Sequence, residues 1–337
     1  MCELLKSFMY KSFVPFSSNS ILRPDDFLQP LVEAARSHVY VEDTGNKADS
    51  LHRRIKQVYV EDFSFACQRV MTPLIKKLRL GSVLLAIDST TEDFYGEHAD
   101  LFLRGWTGER GVQARYHFAV LSLVGKQKVP LLAIPWDLSM THANMVKELL
   151  DFAKRLFNSV YCILLDAGFY SGAVIDCLQK EKYNYIIRAP VKKPMQQMIN
   201  ETIDWQTWKH TIKWNNNKSD HKTTTNIVVV KHVQFKKGTG NCCFATNMKL
   251  NKGMEYVHLY IKRWQIETNF RMQDQVSIKS KSVSIEIRYF YFLISMLLHA
   301  YWLLHHAKKI ALDKFKIQLA NQLLFTTVGI TYCNPLI

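Results

Sequence analysis

Val83-Leu84-Leu85-Ala86-Ile87-Asp88-Ser89-Thr90 is the stretch on which the fold turns. Five apolar residues in a row, too few for an ordinary helix and without alternation, read as a strand buried on both faces. Tyr161-Cys162-Ile163-Leu164-Leu165-Asp166 repeats the pattern, again with an aspartate directly after the apolar run. Between the two, Tyr116–Val124 and Val129–Trp136 flank Gly125-Lys126 as in a hairpin, and His142–Phe157 is an amphipathic helix. After Asp166 come a helix over Ser171–Lys180 and a further strand over Tyr183–Arg188. Three strands, helix, strand, helix, strand is an α/β order with a mixed sheet flanked by helices. Functional groups in open α/β sheets gather beyond the carboxyl ends of strands. Asp88 and Asp166 are therefore expected side by side, each closing its strand.

Working outward, residues 1–80 form a mainly helical, polar region, with Thr72-Pro73 as an expected break and Gly81 as its close. Its His52-Arg53-Arg54-Ile55-Lys56 cluster reads as a solvated basic helix face. The first part of the core spans 81–189. Residues 190–252 change character: Pro190, Pro194, three tryptophans (Trp205, Trp208, Trp214), a polar Asn/Lys/Thr run and the β-like Asn226-Ile227-Val228-Val229-Val230-Lys231. From 188 to 253 there are twelve Lys/Arg against three Asp/Glu, which marks a basic, β-rich insertion. Helices return over 253–310, first from Met254 to about Gln275, then from Ile285 to Lys308, and 311–337 is read as a tail. The apolar Tyr289–Leu304 run falls short of the ~20 residues of a spanning helix and reads as a buried core helix.

The whole chain of 337 residues carries a formal charge of +15. A surplus of that size favours a polyanionic partner, nucleic acid before membrane. Seven scattered cysteines without CxxC spacing exclude a zinc ribbon or a disulfide framework and fit a reducing cytoplasm. No P-loop, dinucleotide fingerprint or HExxH is present.

On the helix after Gly253, at about 100° per residue, Tyr260, Arg263, Glu267, Arg271 and Asp274 fall within roughly one 80° sector. Alone, Glu267 between arginines is a surface ion-pair ladder worth ~0.3–0.5 kcal/mol per pair. Together with two strand-end aspartates it becomes the donor set of paired hard cations, since Mg²⁺ takes oxygen ligands. Two such ions about 3.5–4 Å apart suit in-line phosphoryl displacement.

Ile87-Asp88-Ser89-Thr90 with Phe94-Tyr95-Gly96, and Leu165-Asp166-Ala167-Gly168-Phe169-Tyr170-Ser171, resemble the first two acidic motifs of insertion-sequence DDE transposases. Tyr260-Ile261-Lys262-Arg263-Trp264-Gln265-Ile266-Glu267 resembles the third, the Tyr-Arg-Glu-Lys signature of the branch with a β-rich insertion. The likeness runs from about 82 to 305. It implies an RNase H-like core and a triad of Asp88, Asp166 and Glu267 that binds two Mg²⁺ or Mn²⁺. It implies DNA contacts from Tyr260 and Arg263, double-stranded DNA at element ends and target as partner, and a homodimer on paired ends. One position departs: the signature lysine, seven residues after the glutamate, is Asp274 here. Arg271 or Lys279 is then the candidate to grip the strand.

Other features carry less. Glu92 and Asp93 are expected in a loop, and Asp100 and Asp137 as loop or cap residues. The three tryptophans read as packing of a small β-domain ahead of stacking on an extruded base. Asp88-Ser89-Thr90-Thr91 loosely resembles the phosphate loop of actin-like ATPases and sugar kinases, but those need a second glycine-rich loop, and none follows Asp166. A decayed, DNA-binding transposase is the other alternative, and a simple nuclease on the same fold would cut without joining.

Overall fold

The computed structural model describes residues 1–12, 22–45, 47–96, 100–105, 111–216, 219–236 and 238–327. Cys333 and the end of the expected tail lie outside the described residues. The N-terminal region is helical: α1 (Cys2–Ser12), α2 (Pro24–Ser37), α3 (Ala48–Ile55) and α4 (Val60–Lys76). The expected break at Thr72-Pro73 does not occur; α4 runs through Pro73. Pro73 donates no i→i−4 bond within the helix, and the neighbouring Thr72 Oγ1 donates to the Gln68 carbonyl at 2.7 Å.

The core follows as β1 (Val83–Phe94), β2 (Leu103–Gly105), β3 (Ala114–Val124), β4 (Val129–Pro135), α5 (His142–Leu156), β5 (Val160–Leu165), α6 (Gly172–Lys180) and β6 (Tyr185–Arg188). Ser171 and Thr141 cap α6 and α5 through side chains that accept from Val174 N and Asn144 N. β1 is central, antiparallel to β3 and parallel to β5, while β6 is parallel to β5. β4 pairs with the far edge of β3, and β2 pairs with β3 at its other end.

β1 is longer than its apolar run. It continues through Asp88 to Phe94, so Asp88 lies within the strand and Glu92 and Asp93 are strand residues, not loop residues. The reason is that β3 stays paired with β1 as far as Phe94↔Ala114, whereas β5 leaves after Ile87↔Leu165. One continuous ladder suffices to keep polar residues extended. Asp88 therefore sits where the parallel neighbour ends, and Asp166 is the first residue past that neighbour's last rung.

The basic insertion contains α7 (Lys193–Glu201), β7 (Trp205–Asn216), β8 (Ser219–Phe235) and β9 (Gly238–Thr246). β9 pairs antiparallel with β6, Ile187 facing Ala245, so these strands prolong the central sheet. Among the described residues the order is β2-β3-β1-β5-β6-β9-β8-β7, with β4 also on β3. β7 and the polar half of β8 were not expected as strands from their sequence.

The remaining helices are α8 (Gly253–Ile261), α9 (Trp264–Asp274), α10 (Ile285–His305) and α11 (Leu312–Thr327). α10 is long and apolar enough to cross a membrane by composition, but most of it is buried in the protein. It packs on β4 and α4: Tyr289 donates to the Ala133 carbonyl at 2.6 Å, and Phe118 stacks on Tyr289 and Phe292. Residues 312–327, expected within a tail, form α11 and pack against α2.

His299 on α10 is fully buried, and among the described residues neither ring nitrogen has a hydrogen-bond partner. Burial pulls its pKa down from 6.5 to about 4. Between these values the unfolded chain takes up a proton that the folded chain refuses, so folding stability falls as pH drops from about 6.5 to about 4. Replacing His299 with Leu removes this penalty. Urea melts across that window should show the variant gaining on the native chain by ~1.4 kcal/mol per pH unit on acidification.

Candidate active site

The end of the β1–β5 pairing places two aspartates next to each other, and the α8–α9 segment lies over them. Where a single helix was expected from Met254 to Gln275, the chain forms two. Around Lys262 and Arg263 the bonds tighten to the i→i+3 type, with Arg263 N to Tyr260 O and Ile266 N to Arg263 O both at 2.9 Å. Gln265 Oε1 accepts from Gly125 N at 2.7 Å, tying the start of α9 to the β3–β4 turn. Gly125 has φ +102°, a conformation open to glycine, so the turn can present that N–H. Sequence reasoning gave no role to Gln265, because nothing local marks it as an anchor.

Arg263 sits at the centre. Its Nη1 donates to Asp88 Oδ2 at 2.5 Å, and its Nη2 donates to Glu267 Oε1 at 2.7 Å. Nη2 also stands 3.7 Å from Asp166 Oδ1. The three acids expected to converge do so around one guanidinium. Tyr260 completes the group, its hydroxyl 3.5 Å from Asp166 Oδ1 and its ring 5.6 Å below the Arg263 guanidinium.

The pocket has a floor and a mouth. The side chains of Arg263 and Asp88 are 6% and 12% exposed, whereas those of Asp166 and Glu267 are 43% and 52% exposed. Burial pushes the Asp88 carboxyl up to about 6; Arg263 and the Ser89 N–H pull it down, and Asp166 and Glu267 push it up again. Burial likewise holds the Tyr260 phenol well above its ordinary value, so it stays a neutral donor.

The donor chemistry fits hard divalent cations, being three carboxylates with two open to solvent. As placed, the three stand around the Arg263 guanidinium, and among the described residues no three acidic, histidine or cysteine side chains close around a single point.

The rest of the expected sector goes elsewhere. Arg271 is exposed, one turn beyond Glu267, and among the described residues makes no ion pair. Asp274 lies about 10 Å further along the helix than Glu267. It lines a separate cleft of about 610 Å³ with Glu92, Asp93, Lys279, Lys281 and Arg288. Lys279 is thus beside Asp274, not beside the triad, and its carbonyl accepts from Val41 N at 3.0 Å. Glu92 and Asp93 answer to arginines of their own, Arg288 at 3.5 Å and Arg115 at 2.6 Å. Asp100 and Asp137 accept from nearby backbone N–H groups in the loops that follow them, as expected.

Residues 79–303 match the model of the transposase DDE domain. The chain belongs to that family. Its fold is similar to a piggyBac transposase seen by cryo-EM in a synaptic complex with hairpin DNA. The TM-score is 0.57 at 13% identity, over 99% of this chain and 78% of that one. No curated protein matches the chain. The RNase H-like, mixed sheet flanked by helices read from the sequence is the architecture of this transposase, and divalent cations are the general cofactors of the family.

Of the insertion's tryptophans, Trp208 and Trp214 are half-buried in the fold and Trp205 is exposed. Trp208 Nε1 donates to Thr202 Oγ1 at 3.2 Å, and Trp214 Nε1 donates to Thr223 Oγ1 at 2.8 Å. Trp214 stacks on His221 and lies so close to α6 that a Cβ on Gly172 would stand 2.0 Å from its Cδ1. Trp205 covers Gly253 in the same manner, at 2.7 Å. Gly172→Ala should therefore displace Trp214 and cost about 1–3 kcal/mol. Gly81→Ala, which meets nothing within 4 Å, is the control in the same urea melts.

Proposed function

We propose that this transposase performs cut-and-paste transposition. It cuts at the inverted-repeat ends of an element and joins the freed 3′-hydroxyl to target DNA. The observation that supports the reading is the convergence of Asp88, Asp166 and Glu267 on one buried guanidinium. Carboxylates drawn from β1, the end of β5 and α9 are costly to bring together unless a concentrated positive charge belongs among them.

Asp88, Asp166 and Glu267 are the residues that would hold two Mg²⁺ or Mn²⁺, which activate the attacking oxygen and stabilise the leaving one in phosphoryl transfer. Asp88, at the pocket floor, is fixed by its strand; Asp166 and Glu267, at the mouth, face the incoming backbone. Arg263 and Tyr260 supply donors for the non-bridging oxygens of the scissile phosphate, the forked guanidinium suiting two oxygens at once. Cleavage and joining are the same bond exchange at phosphorus, so one set of residues serves both. Arg271, exposed one turn beyond Glu267, is the residue to take the strand beyond the cut, and Lys279, in the neighbouring cleft, offsets Asp274 at the position of the signature lysine.

The insertion grips the duplex. On β7 and β8 the exposed positions include Lys209, Lys213 and Lys222, with Lys213 directly opposite Lys222. Like charges directly opposite each other destabilise a sheet, and a phosphate backbone laid across them removes the penalty. A homodimer holding two ends together accounts for pairing the cuts.

Asp88→Ala, Asp166→Ala and Glu267→Ala should each cut nicking of inverted-repeat DNA at least about a thousandfold and leave duplex binding intact. Native-rate nicking by any one of them removes that residue from the site. Binding by the native chain without nicking in Mn²⁺ would point to a decayed copy, with Asp274 as the first suspect. For the insertion, the slope of log affinity against log salt should become shallower by about 0.9 for each of Lys213→Ala and Lys222→Ala. An unchanged slope would take the hairpin out of the interface.

A further inference from the structure

Arg263 is held more tightly than a residue waiting for DNA needs to be. It touches all three acids, its side chain is 6% exposed, and its Nε is buried without a hydrogen-bond partner among the described residues. A divalent cation takes carboxylate oxygens at about 2.0–2.1 Å. It competes for Asp88 Oδ2 and Glu267 Oε1 with a guanidinium 2.5 and 2.7 Å from them, since two positive charges gathered on the same oxygens repel each other.

We propose that Arg263 is a displaceable counter-ion: it neutralises the acid pocket while no divalent cation is bound, and it must leave the three carboxylates when one enters. The inference rests on reading Asp88, Asp166 and Glu267 as the cation's ligands. Among the described residues Asp166 and Glu267 are the exposed members of the group, so the guanidinium leaves towards their side of the pocket. At the mouth the released guanidinium is in reach of solvent, and its fork favours an anion with paired oxygens over water. A DNA phosphate at the pocket mouth is one. Cation and DNA are then coupled: each helps the other by the same factor, because both favour the arrangement in which Arg263 has left the acids. The local backbone suits such a shift, since Arg263 lies in the tightened turn between α8 and α9 and not in the body of either helix.

The test is calorimetric titration of Mn²⁺ into the full-length protein, with and without a short DNA duplex. Apparent affinity is reduced by the fraction of molecules in the competent arrangement. Arg263→Gln should therefore bind Mn²⁺ about tenfold more tightly than the native chain where the guanidinium holds roughly nine molecules in ten closed. DNA should tighten Mn²⁺ binding by the native chain by a larger factor than it does for Arg263→Gln. Asp88→Asn should lose Mn²⁺ binding in either case. Should Arg263→Gln bind Mn²⁺ no more tightly than the native chain while Asp88→Asn loses it, the counter-ion role is wrong and the ligand assignment stands. Native affinity in Asp88→Asn would instead remove the ligand assignment itself. If Arg263→Gln folds poorly, Arg263→Lys keeps the charge and loses the fork. Its thermal midpoint should then rise more with Mn²⁺ than that of the native chain, and an equal rise overturns the proposal.

Discussion

Ile87 faces Leu165 across two parallel strands, and beyond that rung the two chains part. Everything chemical in the molecule hangs on this register. The next residue on each strand is an aspartate, so the sheet delivers two carboxylates to one place with no loop between them to drift. A slip of one residue would turn Asp88 to the opposite face of the sheet and bury it among apolar side chains. The apolar runs 83–87 and 162–165, buried against helices on both faces, make such a slip prohibitive. Hydrophobic register thus does the positioning, and the ligands inherit their accuracy from side chains that never meet a substrate.

The third acid arrives differently. Glu267 is carried by α9, which is separate in the chain from both strands and is held by packing on β1, β3 and β4 and by the bond between Gln265 and the Gly125 amide. Three carboxylates brought together this way repel one another when ionised. Arg263, one turn before Glu267, supplies the compensating charge from the same element that brings the third acid. The fold and the site are therefore joined through one side chain. In the proposed reading the same residue also meets phosphate.

Much of this could be read from the chain because burial on both faces leaves a plain signature. The strands around 83–87 and 161–165, the hairpin at Gly125 and the apolar helix at 285–305 all announce themselves by composition. What could not be read is equally instructive. The polar end of β1, Ser89 to Phe94, is a strand only because β3 accompanies it, a long-range pairing with no local signal. β7 and the polar half of β8 alternate lysine and threonine with tryptophan and histidine, and their partners lie across a hairpin and behind α6. The split between α8 and α9 is a matter of hydrogen-bond geometry over a few residues, and Asp274, on the same face as Glu267 but two turns further along α9, is too far along the helix axis to join the acids that helical periodicity had grouped it with. For the site, residue identities were legible and distances were not. Periodicity placed Arg263 beside Glu267, but only the fold could seat it between Glu267 and Asp88.

The pairing of β6 with β9 makes the insertion an outgrowth of the sheet instead of a domain on a tether. Load applied to the outer hairpin travels in the plane of the strands, across ladders that must shear together, until it reaches β5 and the aspartate at its tip. A flexible linker would have absorbed such a pull. On the proposed reading, a duplex resting on the hairpin would tug on the framework that spaces the carboxylates, and bending of the DNA would be linked to the geometry of the site.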